Sequence, residues 1–329
     1  MTPRMAAFYT LMLIVLGAGW GMTVPLSKIA VSTGHRHFGL IFWDVTIGAA
    51  FLAVVLLVRK RPLPLGLPAL RVFAVIALLG TLVPNSTSYM AIRHLPAGVM
   101  AILLSLVPML AFPIALGLGL ERFSLRRFAG LFAGLAGVLL LVVPGASLPD
   151  PAMLVWVPLA MVASVCYALE GNVVSRWGTA GLGPMQVLLG ASLMAGAMAL
   201  PLALFTGQFI TPLRSYGPAE WALIAAAIIH VLTYSGYVWL VTRAGAVFAV
   251  QVSYLVTGFG VLSSLLVLGE TYSSWIWTAL GLVLLGVFLV QPRRQAGRDN
   301  LAPDAANALS GGQGGPGAPP ARTMRPQGQ

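Results

Sequence analysis

The sequence predicts an all-α integral membrane protein with ten transmembrane helices arranged as two inverted five-helix repeats. Three observations predict it. Of 329 residues, 58% are hydrophobic and 8% charged, with a mean hydropathy of +0.91, whereas a soluble globular chain is about a quarter charged. The apolar runs continue over about 20 residues, the helical length that crosses a hydrocarbon core of about 30 Å, and they lack the alternation of barrel strands. The third observation is an internal repeat. Shifting the chain by about 149 positions lays Ala97–Pro144 without a gap on Ala246–Arg293, so that Glu121 falls on Glu270, Ser124 on Ser273 and Gly137 on Gly286. Acids are scarce in this chain, so the Glu match carries more weight than matches of Leu or Val.

The elements follow in order. Residues 1–7 include the short basic MTPRM and are expected in the cytoplasm. Span 1, about Phe8 to Ile29, is longer than a signal-peptide core, lacks a small-residue cleavage site and precedes more of the same, so it is read as a resident helix. It contains Trp20, Gly21 and Pro25. Gly and Pro loosen a helical ladder, which a membrane tolerates only where neighbours or a cavity satisfy the backbone. Lys28 is expected to snorkel to the interface. Span 2, about Phe38 to Val58, carries Asp44 about two turns inside. An intramembrane acid marks a functional position, or here a structural ion pair with Lys28 or Arg36. His35 and His37 form an isolated HxH, too few ligands for a metal. No metal and no cofactor are expected.

The Pro-broken basic stretch Arg59–Arg71 reads as a loop. In span 3, about Val72 to Ile92, Asn85, Ser88 and Tyr89 stand at i, i+3 and i+4 and share one helical face. That face is costly against lipid, so it points to protein or to a wet cavity. Span 4, about Ala97 to Gly119, holds Pro108 and Pro113, and span 5 runs from about Phe128 to Val143. Gly130, Gly134 and Gly137 give span 5 a strip for close helix contact, within the chain or between two copies as a homodimer. The first repeat thus covers residues 8–144, and a linker at 145–153 without Lys or Arg separates the halves.

The second repeat covers 154–291. Span 6, about Leu154 to Val174, carries Glu170, and a shift of about 147 lays Tyr167 on Trp20. Glu170 is either functional or paired with Arg176. Span 7, about Pro184 to Phe205, is almost featureless. Span 8, about Glu220 to Val241, places His230, Tyr234 and Tyr237 at i, i+4 and i+7, one polar stripe through the membrane. His titrates nearest physiological pH, which suits proton coupling, although a single His is also compatible with a hydrogen-bonded core residue. Span 9, about Ala246 to Leu268, brings Gln251 and Tyr254, and span 10 runs from about Ser274 to Gln291. The tail 292–329 is Gly, Pro, Ala, Gln and Arg and is expected to be disordered. The single Cys166 lies inside span 6, so it is silent on redox compartment.

Charge sets the expected orientation. With the amino terminus in the cytoplasm, 15 of the 19 Lys and Arg lie inside, and only Lys28, Arg36, Arg93 and Arg214 lie outside. This positive-inside bias explains the net charge of +11 without nucleic acid. It also puts the two matched elbows, RFSLRR and TYSSW, on opposite faces, as an odd number of spans per half requires. Inverted repeats with a site near the midplane are a plan common to secondary transporters.

Trp20-Gly21 in the first helix, Leu120-Glu121-Arg122 closing the fourth span, Leu268-Gly269-Glu270 closing the ninth, and the following Gly-Val helices together resemble the EamA branch of the drug/metabolite transporter superfamily. The resemblance covers about residues 8–291. It implies a secondary carrier, commonly an exporter of amino acids or related metabolites, in a bacterial-type inner membrane with both termini cytoplasmic. It further implies a central cavity lined by spans 1, 3, 4, 6, 8 and 9. On that basis Trp20, Asn85, Tyr89, Glu170, His230, Tyr234, Gln251 and Tyr254 are expected to bind solute, with His230, Glu170 and Asp44 as proton-coupling groups. Family members often have Arg in span 2, where this chain has Trp43 and Asp44. Without Arg or Lys at mid-depth the expected solute is neutral, zwitterionic or weakly cationic. Partners are the small-molecule solute and the bilayer. The competing readings are a lipid flippase or passive permease of the same superfamily, and an intramembrane enzyme. The last would need a catalytic cluster such as HExxH, which the sequence lacks.

Overall fold

The computed structural model describes residues 3–142, 148, 150–213 and 215–291. The linker expected at 145–153 is therefore described only in part, and the tail expected at 292–329 lies outside the described residues. The described secondary structure is helical: α1 (Pro3–Ala30), α2 (His37–Val58), α3 (Leu67–Ile76) continued by a π-helical turn (Ala77–Leu82) into α4 (Val83–Ile92), α5 (Ala97–Leu104), α6 (Val107–Gly117) and α7 (Leu125–Val142). After a 3-10 turn (Pro151–Val155) come α8 (Trp156–Trp177), α9 (Pro184–Phe205), α10 (Pro218–Ala244), the short α11 (Ala246–Ala249), α12 (Val252–Leu268) and α13 (Ser274–Val290). Eight helical segments among the described residues are long and apolar enough to cross a membrane. Val252–Leu268 and Ser274–Val290 are shorter apolar helices. They fall short because the ninth apolar run is broken at Val250–Gln251, and because 17 residues rise only about 26 Å.

Two local expectations, for Leu67–Arg71 and for Lys28, are corrected, and the one for Pro25 is met by a neighbouring helix. Leu67–Arg71 is helical, not loop, because Pro68 sits in the first turn of α3, where its missing N–H has no partner to lose. α1 runs unbroken through Pro25. Pro25 cannot donate to the Gly21 carbonyl, and the hydroxyl of Ser263 on α12 donates to that oxygen instead at 3.3 Å. Lys28, expected to snorkel, is tied to the chain: its Nζ donates to the carbonyls of Ile92 at 2.6 Å and Leu95 at 2.9 Å.

Packing between the halves is reciprocal. α1 lies against α12 and α10, and α8, its counterpart, lies against α5–α6 and α4. α2 packs on α9 and α7 on α13, each pair being the same element from either half, and α2 with α10 is matched by α3 with α9. Exchanging the halves maps each of these packings onto another, the contact pattern of a two-fold relation.

The glycine strip of span 5 packs within the chain. A Cβ on Gly130 would stand 2.8 Å from the Gly286 carbonyl oxygen, and one on Gly137 would stand 2.7 Å from Val283. The backbones of α7 and α13 therefore touch, as small-residue seams allow. His35 Nε2 hydrogen-bonds Glu220 Oε1 at 2.8 Å, both side chains buried, tying the α1–α2 loop to the start of α10. Gly286→Leu forces the α7–α13 seam apart and is expected to lower stability by about 1–3 kcal/mol, the usual cost of overpacking, read as an earlier thermal unfolding transition in detergent.

Candidate functional site

A cavity of about 400 Å³ lies in the membrane-spanning bundle. Trp20 of α1, Asn85 and Tyr89 of α4, Glu170 of α8, and His230 and Tyr234 of α10 all line it, with Asp44 of α2. The face formed by Asn85, Ser88 and Tyr89 thus meets the cavity, and a buried Ser88 hydroxyl has no hydrogen-bond partner among the described residues. His230, in the middle of α10, lines this cavity with the Trp20 ring 6.3 Å away.

Two residues expected at the site stand elsewhere. Gln251 and Tyr254 do not line the cavity. The break at Val250–Gln251 leaves Gln251 exposed at the start of α12, and Tyr254 packs on the main core with its hydroxyl buried. Val256 is the α12 residue on the wall. Spans 2 and 7 also contribute, through Asp44, Val45 and Gly48 and through Leu188, Ala191 and Ser192. Tyr237, the third member of the span 8 stripe, packs on Trp20 with ring centroids 5.4 Å apart.

The anticipated structural ion pairs of the two intramembrane acids are not formed. Among the described residues, neither Asp44 nor Glu170 has an ion-pair or hydrogen-bond partner, and no Lys or Arg lines the cavity. Lys28, one of the two sequence candidates for Asp44, is committed to backbone carbonyls. No group of three or more His, Cys, Asp or Glu that could hold a metal occurs among the described residues.

Glu170 is seated by the backbone of span 3. Pro84 cannot donate to the carbonyl four residues earlier, at Gly80, and the ladder widens into the π-helical turn Ala77–Leu82 around it. A Cβ on Gly80 would lie 2.6 Å from the Glu170 carboxyl carbon, so the carboxylate occupies the space of the absent side chain. Tyr167, one turn before Glu170, donates its hydroxyl to Asn85 Oδ1 at 2.9 Å and also lines the cavity. Sequence reasoning missed Gly80, Thr81 and Ser192 on this wall. The Gly80–Pro84 spacing was the available signal for the first.

The fold and cavity agree with what the chain resembles. Residues 7–143 and 154–291 each match the model of the EamA-like transporter family. The chain belongs to that family. This EamA-like protein is 26% identical over 292 residues to the uncharacterized inner membrane transporter YedA of Escherichia coli strain K12, covering 88% of this chain and 90% of YedA. The YedA proteins of E. coli strains O6:H1 and O157:H7 match to the same extent. A solved crystal structure of a protein shares the fold with a TM-score of 0.57 at 20% identity, over 87% of this chain and 96% of that one. The EamA-like chain is thus a multi-pass membrane transporter of two-repeat architecture.

Gly80→Ala places a methyl group where the Glu170 carboxylate rests. The variant is expected to fold and to lose at least about tenfold in transport rate, measured by flux per folded protein in vesicles. Tyr167→Phe removes only the bond to Asn85 and is expected to lower stability by about 0.5–1.5 kcal/mol, read from thermal unfolding.

Proposed function

We propose that the chain is a secondary active transporter that exports small amino-bearing metabolites, amino acids among them, by alternating access around the central cavity. All ten helical segments cross the membrane in this reading, α11–α12 serving as the ninth, so the second repeat is inverted relative to the first. The observation that carries the reading is the charge balance of the cavity wall: two acids without ion pairs among the described residues, and no Lys or Arg. A carboxylate withdrawn from water without a partner is costly, and a proton or a cationic group relieves the cost. An ammonium group fits Asp44 and Glu170. The faces of Trp20, Tyr89, Tyr167 and Tyr234 suit its positive charge, and Ser88 and Asn85 suit the polar remainder of a neutral or zwitterionic solute. A phosphate ester would meet no counter-ion. The volume of about 400 Å³ is within the range of small-ligand sites.

Protons competing with solute for Asp44 and Glu170, with His230 beside Trp20, supply the coupling. The positive-inside count, 15 of 19 basic residues, supports cytoplasmic termini. The name of the YedA relatives supports an inner membrane location.

Purified protein in proteoliposomes tests this reading with amino acids, small amines and a phosphate ester under opposed pH gradients. Amine-bearing solutes are expected to move, faster when the receiving side is acidic, and the phosphate ester is not. Asp44→Asn with Glu170→Gln is expected to lower gradient-driven flux at least about tenfold. Undiminished pH-dependent flux after both changes and His230→Gln would end the coupling assignment. Lipid scrambling without solute flux would replace the carrier with a flippase. Epitope tags at the two termini are expected on the same face.

A further inference from the structure

Glu121 and Glu270 hold matched places in the two repeats, each directly before an elbow, yet they engage differently. The Glu270 carboxylate accepts the N–H groups of Ala97 at 2.8 Å and Gly98 at 3.2 Å, at the start of α5. The Tyr272 hydroxyl donates to the same carboxylate, and its ring closes over Gly98. Burial and the neighbouring Glu270 carboxylate push the Tyr272 hydroxyl pKa up, so it remains a donor across physiological pH. Lys28 meanwhile holds the carbonyls of Ile92 and Leu95 just before α5. An anion on opening N–H groups and a cation on closing carbonyls are the charges those helix ends favour. The connection between spans 3 and 4 is clamped.

On the matched connection between spans 8 and 9 the same parts stand apart. Glu121 pairs with Arg127 at 2.9 Å and is 43% exposed. Phe123, at the place of Tyr272, is 64% exposed, and Ser175 occupies the place of Lys28. A second cavity, about 320 Å³, opens here between Glu121, Arg127, Asn172, Ser175, Ser253 and Gln291. The Nε2 of Gln291 is buried and has no hydrogen-bond partner among the described residues.

We propose that the two elbows are reciprocal latches: Glu270 docked on α5 shuts one face, as here, and in the opposite access state Glu121 leaves Arg127, folds over the α10–α11 connection and fills the second cavity while Glu270 lets go. This rests on the carrier reading and assigns its gates. Glu270 on α5 then favours the present state and Glu121 on the α10–α11 connection the other, the half-exposed Glu121–Arg127 pair weighing little, so a loss on one side is offset by a loss on the other.

The test is a labelling rate. In a Cys166→Ala background, Ser253→Cys reports access to the second cavity by a membrane-impermeant maleimide in inverted vesicles. Glu270→Gln is expected to slow labelling about fivefold or more, and Tyr272→Phe to slow it less. Adding Glu121→Gln to Glu270→Gln is expected to restore the parent rate. Tyr272→Phe keeps the ring over Gly98, and monodisperse elution in detergent checks each fold. Unchanged labelling in both single variants, or a double variant as slow as Glu270→Gln alone, overturns the latch. The readout needs no solute, so solute flux in the parent is judged separately: its absence defeats the carrier reading, whatever the labelling.

Discussion

The constraint behind this fold is that hydrocarbon offers backbone groups no hydrogen bonds, so each carbonyl freed by a proline or at a helix end must find a donor inside the protein. The chain meets it by lending donors from one half to the other. Ser263 of α12 serves the Gly21 carbonyl of α1, Ser164 of α8 serves Leu103 of α5 at 2.8 Å, and Asn172 of α8 serves Ala111 of α6 at 3.1 Å. Span 1 with span 9, and span 6 with span 4, are equivalent pairs in the two-fold packing. Pro25, which would weaken an isolated helix, thereby marks a point at which the repeats depend on each other.

A second consequence concerns where polarity accumulates. The apolar core is continuous through α2, α4, α5 and α8 and the α7–α13 pair, and Asp44, Glu170, Tyr89, Tyr167, Tyr234 and His230 line one cavity. Trp20 and Tyr167, superposed by the repeat, both stand on it, so the cavity draws matched helices from each half. The acids break the symmetry. Asp44 comes from the second helix of one half and Glu170 from the first helix of the other.

Much of this was legible in the sequence because lipid makes one signal dominant. Long apolar runs located the helices to within a few residues, and the scarce polar positions within them located Asn85, Tyr89, Glu170, His230 and Tyr234. Facing failed where regular geometry failed. Gln251 and Tyr254 were placed at the cavity by the resemblance, and neither lines it, the ninth helix being broken beside Gln251. Partners were the least legible. Glu220 meets His35 across 185 positions, and no local pattern announces it. Lys28 read as a snorkelling residue because its carbonyl partners lie about 65 positions on, in a connection whose path only the packing defines.

The seat of Glu170 sets how finely the cavity is built. A side chain resting on other side chains inherits their rotamer freedom, whereas this carboxylate rests on main chain, at a turn whose widening follows from Pro84. Its height along the membrane normal is therefore gauged by covalent geometry, and a rigid-body tilt of α8 against span 3 must carry the acid off its seat as a whole.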